Sequence, residues 1–306
     1  MNYLFEASED QPEIKPESLF DPEDLKSKYN RSIILNEVIH LHQNFTGETA
    51  SRLETLFISL SFHLDSISKL NSRNWYIAAK GMRELANMNV REASGKMIPF
   101  LNNKNGILRM EARISMMKLS THEPFSFLTH ETESLTDWDQ ANIFAMLNKM
   151  PETSIPDFST WLNSKNKSVV LFCISMIGRH RQQQSTDIMI KMMDNPDSLV
   201  RLAVIRALRM LSATSAEEKL IKLYPSSDDE TKNEILKTLE TIGKEQSDVL
   251  MEQILRQPVA DYSIAIQAVR SLLATRRNGK ERLNELLASA APELKLIIQH
   301  AIDPRL

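Results

Sequence analysis

The sequence repeats itself with a period of about 31 residues, and this period restricts the chain to few architectures. The segments Phe100–Asn105, Trp161–Asn166 and Met192–Asp197 each consist of an apolar pair followed by a polar turn. A second stretch with apolar residues at helical spacing follows each of them, and the segments align without a gap. A fixed period that contains two helical stretches predicts an array of stacked helical hairpins.

The repeat continues on both sides of these segments. One hairpin cannot cover its own apolar face, so neighbouring hairpins must stack. The sequence therefore predicts an all-α fold, an α-α superhelix (solenoid) of about eight stacked helical hairpins in one domain. The column that defines the register contains Leu70, Leu101, Leu162, Met193 and Tyr224, with the polar Thr132 at the position of the intervening repeat.

Composition agrees with a helical fold. Aromatic residues make up 6% of the chain, and there are only 7 glycines. Sheet proteins need aromatic and β-branched strands and frequent turn glycines, so this composition favours helices.

The beginning of the chain differs from the rest. Residues 1–30 contain eight acidic and three basic residues, and they include Pro12, Pro16 and Pro22. We interpret residues 1–30 as an acidic, flexible tail and residues 31–306 as the repeat domain, with regular helix beginning near Arg31.

One repeat has the features of a known family. The unit from Asn195 to Leu208 resembles a HEAT repeat in its Asp-Pro-type turn, its Val-Arg pair and its Ala-x-x-Ala-Leu ending. The repeats are shorter than the usual HEAT unit of about 40 residues, and they resemble the compact bacterial HEAT-like variety. The resemblance covers roughly residues 48–303. It implies that Arg201 stabilises neighbouring turns by bonding to Asp194 or Asp197, whereas Val170 and Lys232 replace this arginine in the adjoining repeats.

Motifs for catalysis or cofactor binding are missing from the sequence. It contains neither a glycine-rich phosphate loop nor the His-Glu-x-x-His zinc motif, so we expect no metal, no cofactor and no enzymatic activity. The single cysteine, Cys173, lies in an apolar run and is expected to be buried. One cysteine and no apolar run of membrane-spanning length fit a cytoplasmic protein, or the cytoplasmic part of a protein whose N-terminal anchor is removed.

A basic stripe is predicted on the exposed face of the second helices. Positions three and four apart share a helix face. The columns of Arg206 and Met210, with the column of Arg209 and Arg270 between them, are rich in cations and contain Glu240 as their one acid. In HEAT-like solenoids these helices usually line the concave wall. The basic stripe would therefore be an anion- or acidic-peptide-binding groove, with an ordinary solvated face as the alternative. Its members are Arg83, Lys118, Lys149, Arg179, Arg206, Arg209, Lys237 and Arg270.

The three tryptophans and one acidic pair have two interpretations each. Trp75, Trp138 and Trp161 lie near the repeat turns, where they either pack within hairpins or stack on a base or peptide. Thr136 or Asp137 is expected to cap the helix that follows, and a catalytic carboxylate is the alternative.

These observations favour a non-catalytic protein-interaction scaffold. Its expected partner is a protein or acidic peptide, and the acidic residues 1–30 are a candidate intramolecular ligand. The alternative is a nucleic-acid-binding protein related to the HEAT-like alkylpurine DNA glycosylases. The net charge of -3 argues against nucleic acid. A bilin-lyase-like protein is a third class, for which no residue provides independent support.

Overall fold

The structure is a computed structural model that describes residues 20–120, 123–151, 154–258, 261–274 and 279–302. Within these residues there are α-helices, short 3₁₀ helices and turns, and no strand. The predicted all-α fold of stacked helical hairpins is confirmed. The chain was expected to form a single domain, but it divides into two compact units at the Pro156–Asp157 junction.

The first unit consists of helical pairs that follow one another along the chain. Helix begins earlier than the predicted start at Arg31, because Asp21 caps a short helix from Pro22 and Ser27 caps the next. The remainder of the predicted tail, residues 1–19, lies outside the described residues. The helices of this unit are α1 (Pro22–Lys26), α2 (Lys28–Asn44), α3 (Glu48–Ser59), α4 (Phe62–Leu70), α5 (Trp75–Asn87), α6 (Ile98–Leu101), α7 (Gly106–Leu119) and α8 (Asp137–Leu147).

The second unit repeats the same hairpin more regularly. Its second helices pack in chain order, α9 on α11, α11 on α13, α13 on α15 and α15 on α17. The helices are α9 (Lys167–Arg179), α10 (Thr186–Met192), α11 (Ser198–Met210), α12 (Glu217–Leu223), α13 (Asp229–Ile242), α14 (Glu245–Arg256), α15 (Tyr262–Ala274), α16 (Gly279–Ser289) and α17 (Pro292–Ile302).

Five second helices begin at a capping side chain that recurs with the repeat. A side-chain oxygen at the N-cap accepts a hydrogen bond from a backbone N–H of the first turn, which would otherwise have no partner. Because the caps are spaced by 30 or 31 residues, each repeat starts its second helix at the same point. These caps are Asn105, Thr136, Asn166, Asp197 and Asp228.

Between α7 and α8, the described residues 123–136 contain no α-helix. They form a 3₁₀ turn, Ser126–Thr129, just after Pro124, which has no N–H to donate to a helix. Phe125 and Phe127 of this stretch are fully buried. Thr132, the polar residue in the apolar column, belongs to this irregular segment.

Close packing of α4 on α5 depends on Gly81. A Cβ atom at this position would lie 2.6 Å from the backbone oxygen of Ser66 and 2.9 Å from Cβ of Lys69. Both distances are shorter than van der Waals contact, and a backbone oxygen cannot move aside without moving α4. The absence of a side chain therefore sets the separation of these two helices.

Replacing Gly81 with alanine should lower the free energy of unfolding by roughly 1–3 kcal/mol, because α4 must shift to admit the methyl group. In an unobstructed helix the same change stabilises by about 1 kcal/mol. Gly106→Ala is the matched control, since its added Cβ would meet only the flexible side chain of Arg109 at 3.6 Å. Urea unfolding followed by far-ultraviolet circular dichroism measures both variants. A stabilised Gly81→Ala variant would show that α4 and α5 do not pack this closely.

Candidate binding surface

In the first unit the basic stripe consists of Arg83 on α5, Lys118 on α7 and Lys149 in the turn just after α8. Arg83, Lys118 and Lys149 are all exposed. Arg83 forms an ion pair with Glu111 of the next second helix, with 2.7 Å between Nε and Oε2. Lys118 donates a hydrogen bond of 3.3 Å to the side-chain oxygen of Asn87. Lys118 and Lys149 form no ion pair within the part of the chain that the structure describes.

In the second unit the stripe arginines converge on one buried carboxylate. Glu234 of α13 lies 3.1 Å from Nε of Arg206 and 2.9 Å from Nη2 of Arg209, both on α11. Arg206 also approaches Glu230 at 3.5 Å. The remaining members, Arg179, Lys237 and Arg270, lie on α9, α13 and α15.

Glu240 is the one acid in the columns of the basic stripe, but acids of another column pair with the stripe arginines. Glu111 and Glu234 each stand 28 residues after the arginine with which they pair. In the repeat alignment, Glu111 and Glu234 lie three positions before the column that contains Arg83 and Arg206. Each of them lies on the second helix of the repeat that follows its arginine. Three stripe arginines therefore connect adjacent helices, and their charge is largely compensated. A search for acids 28 residues after Arg83 and Arg206 would have found this arrangement.

Arg201 stabilises a turn, although not through the expected acids. Its Nη1 donates hydrogen bonds to the carbonyl oxygens of Asn195 and Pro196, at 2.8 and 3.0 Å. Asp194 pairs with Lys219, and Asp197 caps α11 and pairs with Lys167. The planar guanidinium of Arg201 reaches two carbonyl oxygens of the turn at once. These carbonyl oxygens take the place of the predicted carboxylates.

The charges at this turn also affect the pKa values of two caps. The hydrogen bond from Lys167 lowers the pKa of Asp197. Hydrogen bonds from Thr231 lower the pKa of Asp228, and the charge of Arg201 lowers it further. Both carboxylates are thereby kept ionised, which is the form that caps a helix best.

Arg109 is an equivalent residue that the sequence comparison overlooked. Its Nη1 donates to the carbonyl oxygens of Asn103 and Lys104, at 2.7 and 3.3 Å. In both turns an asparagine precedes the arginine by six residues. The spacing Asn-x-Asn/Asp followed four residues later by arginine would have identified Arg109.

A fully buried group of three charges holds α8 against α7. Arg113 contacts Glu131 through two bonds of 2.6 and 2.8 Å, and its Nη1 lies 2.7 Å from Oδ1 of Asp139. Burial alone would lower the pKa of Arg113, but the hydrogen bonds and charges of Glu131 and Asp139 raise it overall. Asp139 also completes a capping box with Thr136, which confirms Thr136 as the cap of α8. Asp139 is thus a structural carboxylate that orients the start of α8.

The tryptophans differ in their surroundings. Trp161 is half-buried beside Phe158, with a distance of 6.1 Å between ring centroids. Trp75 meets Tyr76 edge to face, and Trp138 is 72% exposed. Hairpin packing therefore describes Trp161, whereas Trp138 presents its ring to solvent.

The single thiol of the chain is enclosed in the core. Cys173 is fully buried, and burial raises the pKa of its thiol, which opposes formation of the nucleophilic thiolate. Among the described residues, no group of three histidine, cysteine, aspartate or glutamate side chains is arranged to hold a metal ion. None of the helices in the described ranges is both long and apolar enough to cross a membrane.

The stacked hairpins and their cross-helix bonds define a helical-repeat protein. The family described as HEAT repeats matches residues 155–240, the segment that contains the HEAT-like turn around Arg201. No curated protein matches the chain at a significant level.

The solved structures that resemble the chain include two engineered proteins and a phycocyanin lyase complex. An engineered protein is 16% identical with a TM-score of 0.41, covering 91% of this chain and 86% of its own. A second engineered protein is 16% identical with a TM-score of 0.28, covering 79% and 95%. The complex of CpcE and CpcF of phycocyanin lyase from Nostoc sp. PCC7120 is 17% identical with a TM-score of 0.31, covering 94% and 98%. With TM-scores this low, the likenesses carry no conclusion about function.

Removing the charge of Arg113 should destabilise the first unit. Arg113→Met leaves two buried carboxylates without a counter-charge, and we expect a loss of about 3–5 kcal/mol in the free energy of unfolding. Arg83→Met removes a half-exposed partner of Glu111 and should cost less than about 1 kcal/mol. Urea unfolding compares the two variants, and equal midpoints would contradict a stabilising role for the buried group.

The two turn arginines should make separate contributions. Arg201→Ala and Arg109→Ala each remove two hydrogen bonds to backbone carbonyls, so each should lower the free energy of unfolding by roughly 1–2 kcal/mol. Their effects should add in the double variant, because the residues lie in different compact units. Thermal unfolding monitored by circular dichroism tests this. If the Arg201→Ala variant is as stable as the parent, the side chain of Arg201 does not stabilise the turn.

Proposed function

We propose that this protein is a non-catalytic scaffold that binds a protein partner through the exposed face of its second helices. The observation that carries the proposal is the exposed face of α5, α7 and α8. Lys118 lies on it, Lys149 lies in the turn just after α8, and neither forms an ion pair with a described acid. A cation whose charge is not matched within its own chain is available to pair with an acid of a partner.

The absence of catalysis is part of the proposal. Catalysis needs a nucleophile or an acid–base group whose pKa is adjusted to the reaction. Cys173 is inaccessible, and Asp139 is fully used by Arg113 and Thr136. The buried carboxylate Glu234 is held by Arg206 and Arg209 in the same way. Each of these groups has a structural task that accounts for its position.

The partner is expected to be acidic. The stripe arginines that pair with Glu111 and Glu234 are already engaged, so the lysines are the cations that a partner would contact first. The chain's own acidic residues 1–30 are one candidate ligand for them. Helices α1 and α2 include residues 22–30, which leaves residues 1–19 as the part to test.

Reversing the two lysines should weaken partner binding by about tenfold, the effect of losing roughly 1.4 kcal/mol of charge attraction. The variant is Lys118→Glu with Lys149→Glu. The matched control is Lys28→Glu with Lys96→Glu, which alters the net charge equally at exposed sites of the same unit. Proteins captured from a lysate by each form are compared by mass spectrometry, and the affinity of a recovered partner is then measured by fluorescence anisotropy with purified proteins.

Two further binding experiments distinguish the possible partners. A labelled peptide of residues 1–19 should bind a protein shortened by residues 2–19 and lose affinity with the reversed lysines. A labelled DNA duplex should bind weakly, and tight binding with a steep salt dependence would favour the nucleic-acid alternative. A partner that binds the reversed variant as well as the parent would contradict the proposed surface.

A further inference from the structure

Three large apolar side chains stand exposed at equivalent positions of the first unit. Tyr76, Ile107 and Trp138 are each the second residue of α5, α7 and α8, and they are 58%, 51% and 72% exposed. They follow one another at intervals of 31 residues. We call these three residues the apolar row. Single exposed apolar residues are common, but an ordered series of them marks an interaction site.

Cross-helix bonds show that α5 and α7 are aligned in this register. The bonds between α5 and α7 join residues 28, 31 and 33 positions apart, from Arg83 to Glu111, Lys118 to Asn87 and Ser115 to the carbonyl of Met82. Residues 31 apart therefore face each other, and Tyr76 lies beside Ile107. Since packed helices are about 8–10 Å apart, adjacent members of the row have about this separation.

Trp138 continues the row at the next repeat. The side chain of Asn102, in the turn before α7, bonds to the carbonyl of His130 and to the N–H of Thr132, both at 2.9 Å. Arg113 holds Asp139 beside α7 at 2.7 Å. These contacts place the beginning of α8 next to α7, with Trp138 at its second position.

The same arrangement is interrupted in the second unit. There the equivalent positions are Ser168, Leu199 and Glu230, so Leu199 is an isolated apolar residue between two polar ones. Leu199 is 53% exposed, close to the value for Ile107. The hairpin therefore folds with a polar residue at this position, and the row in the first unit is not required by the repeat.

The apolar row and the basic stripe form the two edges of one surface. Positions four, seven and eleven residues after Tyr76 share its helix face, and they include Lys80 and Arg83. On α8 the same face begins at Trp138, and Lys149 lies in the turn just after the last helical residue, Leu147. One edge is thus aromatic and aliphatic, and the other, where the uncompensated lysines lie, is cationic.

From this surface we infer that the partner is an amphipathic acidic helix of another protein, which lays its apolar face on Tyr76, Ile107 and Trp138 and its carboxylates toward Lys118 and Lys149. The inference rests on the proposed scaffold function and names the chemistry of its partner. An amphipathic helix that lays its apolar face on a surface turns the adjoining face toward charges beside that surface. The exposed acid Asp137 lies beside Trp138. Its negative charge repels the acids of the partner, which therefore lie toward the opposite edge, and it disfavours a phosphate backbone beside Trp138.

The test uses the full chain and a designed probe. The probe is a labelled peptide of about 18 residues with leucines on one helix face and glutamates on the adjoining face, about 27 Å long. A scrambled peptide of the same composition, without an apolar face, is its control. The variant Tyr76→Ser/Ile107→Ser/Trp138→Ser removes the row. The control variant Leu64→Ser/Leu199→Ser/Val249→Ser makes the same kind of change at three other exposed apolar sites.

Fluorescence anisotropy should show that the row variant binds the probe at least about tenfold more weakly than the parent. The control variant should stay within about twofold, and the scrambled peptide should bind about tenfold more weakly. The single variant Trp138→Lys tests the same surface if the triple variant unfolds. This variant should also bind the probe more weakly than the parent. The inference is overturned if the parent fails to bind the probe, if both triple variants behave alike, or if a DNA duplex displaces the probe.

These outcomes separate the inference from the scaffold proposal. If binding of the probe depends on Lys118 and Lys149 but not on the apolar row, the inference is overturned and the scaffold proposal still holds. A lysate experiment that recovers no partner, combined with tight DNA binding, would overturn both.

Discussion

The whole structure depends on the close stacking of second helices in a fixed register of about 31 residues. A single hairpin leaves an apolar face in water, and only a neighbour in the same register covers it. The capping residues from Asn105 to Asp228 fix where each helix starts. Gly81 illustrates how little tolerance this packing has, because one added methyl group would collide with the backbone of the neighbouring helix. Cross-helix bonds such as Arg83 to Glu111 then align each pair.

Buried charges hold one part of the first unit where the repeat is irregular. The described residues 123–136 contain no α-helix, and Arg113 connects them to α8 through Glu131 and Asp139. Such a buried group is strongly sensitive to losing one partner, even though apolar packing could supply similar stability. Its effect here is positional, since it fixes the start of α8 and with it the place of Trp138.

Function in a protein of this kind follows from what the stacked hairpins leave exposed. The paired and buried charged groups have structural roles. Glu234 pairs with two arginines, Arg201 and Arg109 bond to the carbonyl oxygens of turns, and Asp139 orients a helix. The surface that has no such role combines the apolar row with Lys118 and Lys149. An apolar edge beside a cationic edge suits an acidic amphipathic partner, because burial supplies affinity and charge supplies orientation.

The sequence alone determined the helical class, the hairpin period and the HEAT-like turn, because periodicity and capping are local properties of the chain. It also predicted that Thr136 or Asp137 caps α8 and that Cys173 lies in the core. Only the tertiary structure decided the partners of the stripe arginines, the carbonyl bonds of Arg201, the helical start at Pro22 and the division at Pro156–Asp157. Residues 28 or 31 apart become neighbours only when hairpins stack, so a helix-face argument within one repeat could not find Glu234 beside Arg206 or the row from Tyr76 to Trp138.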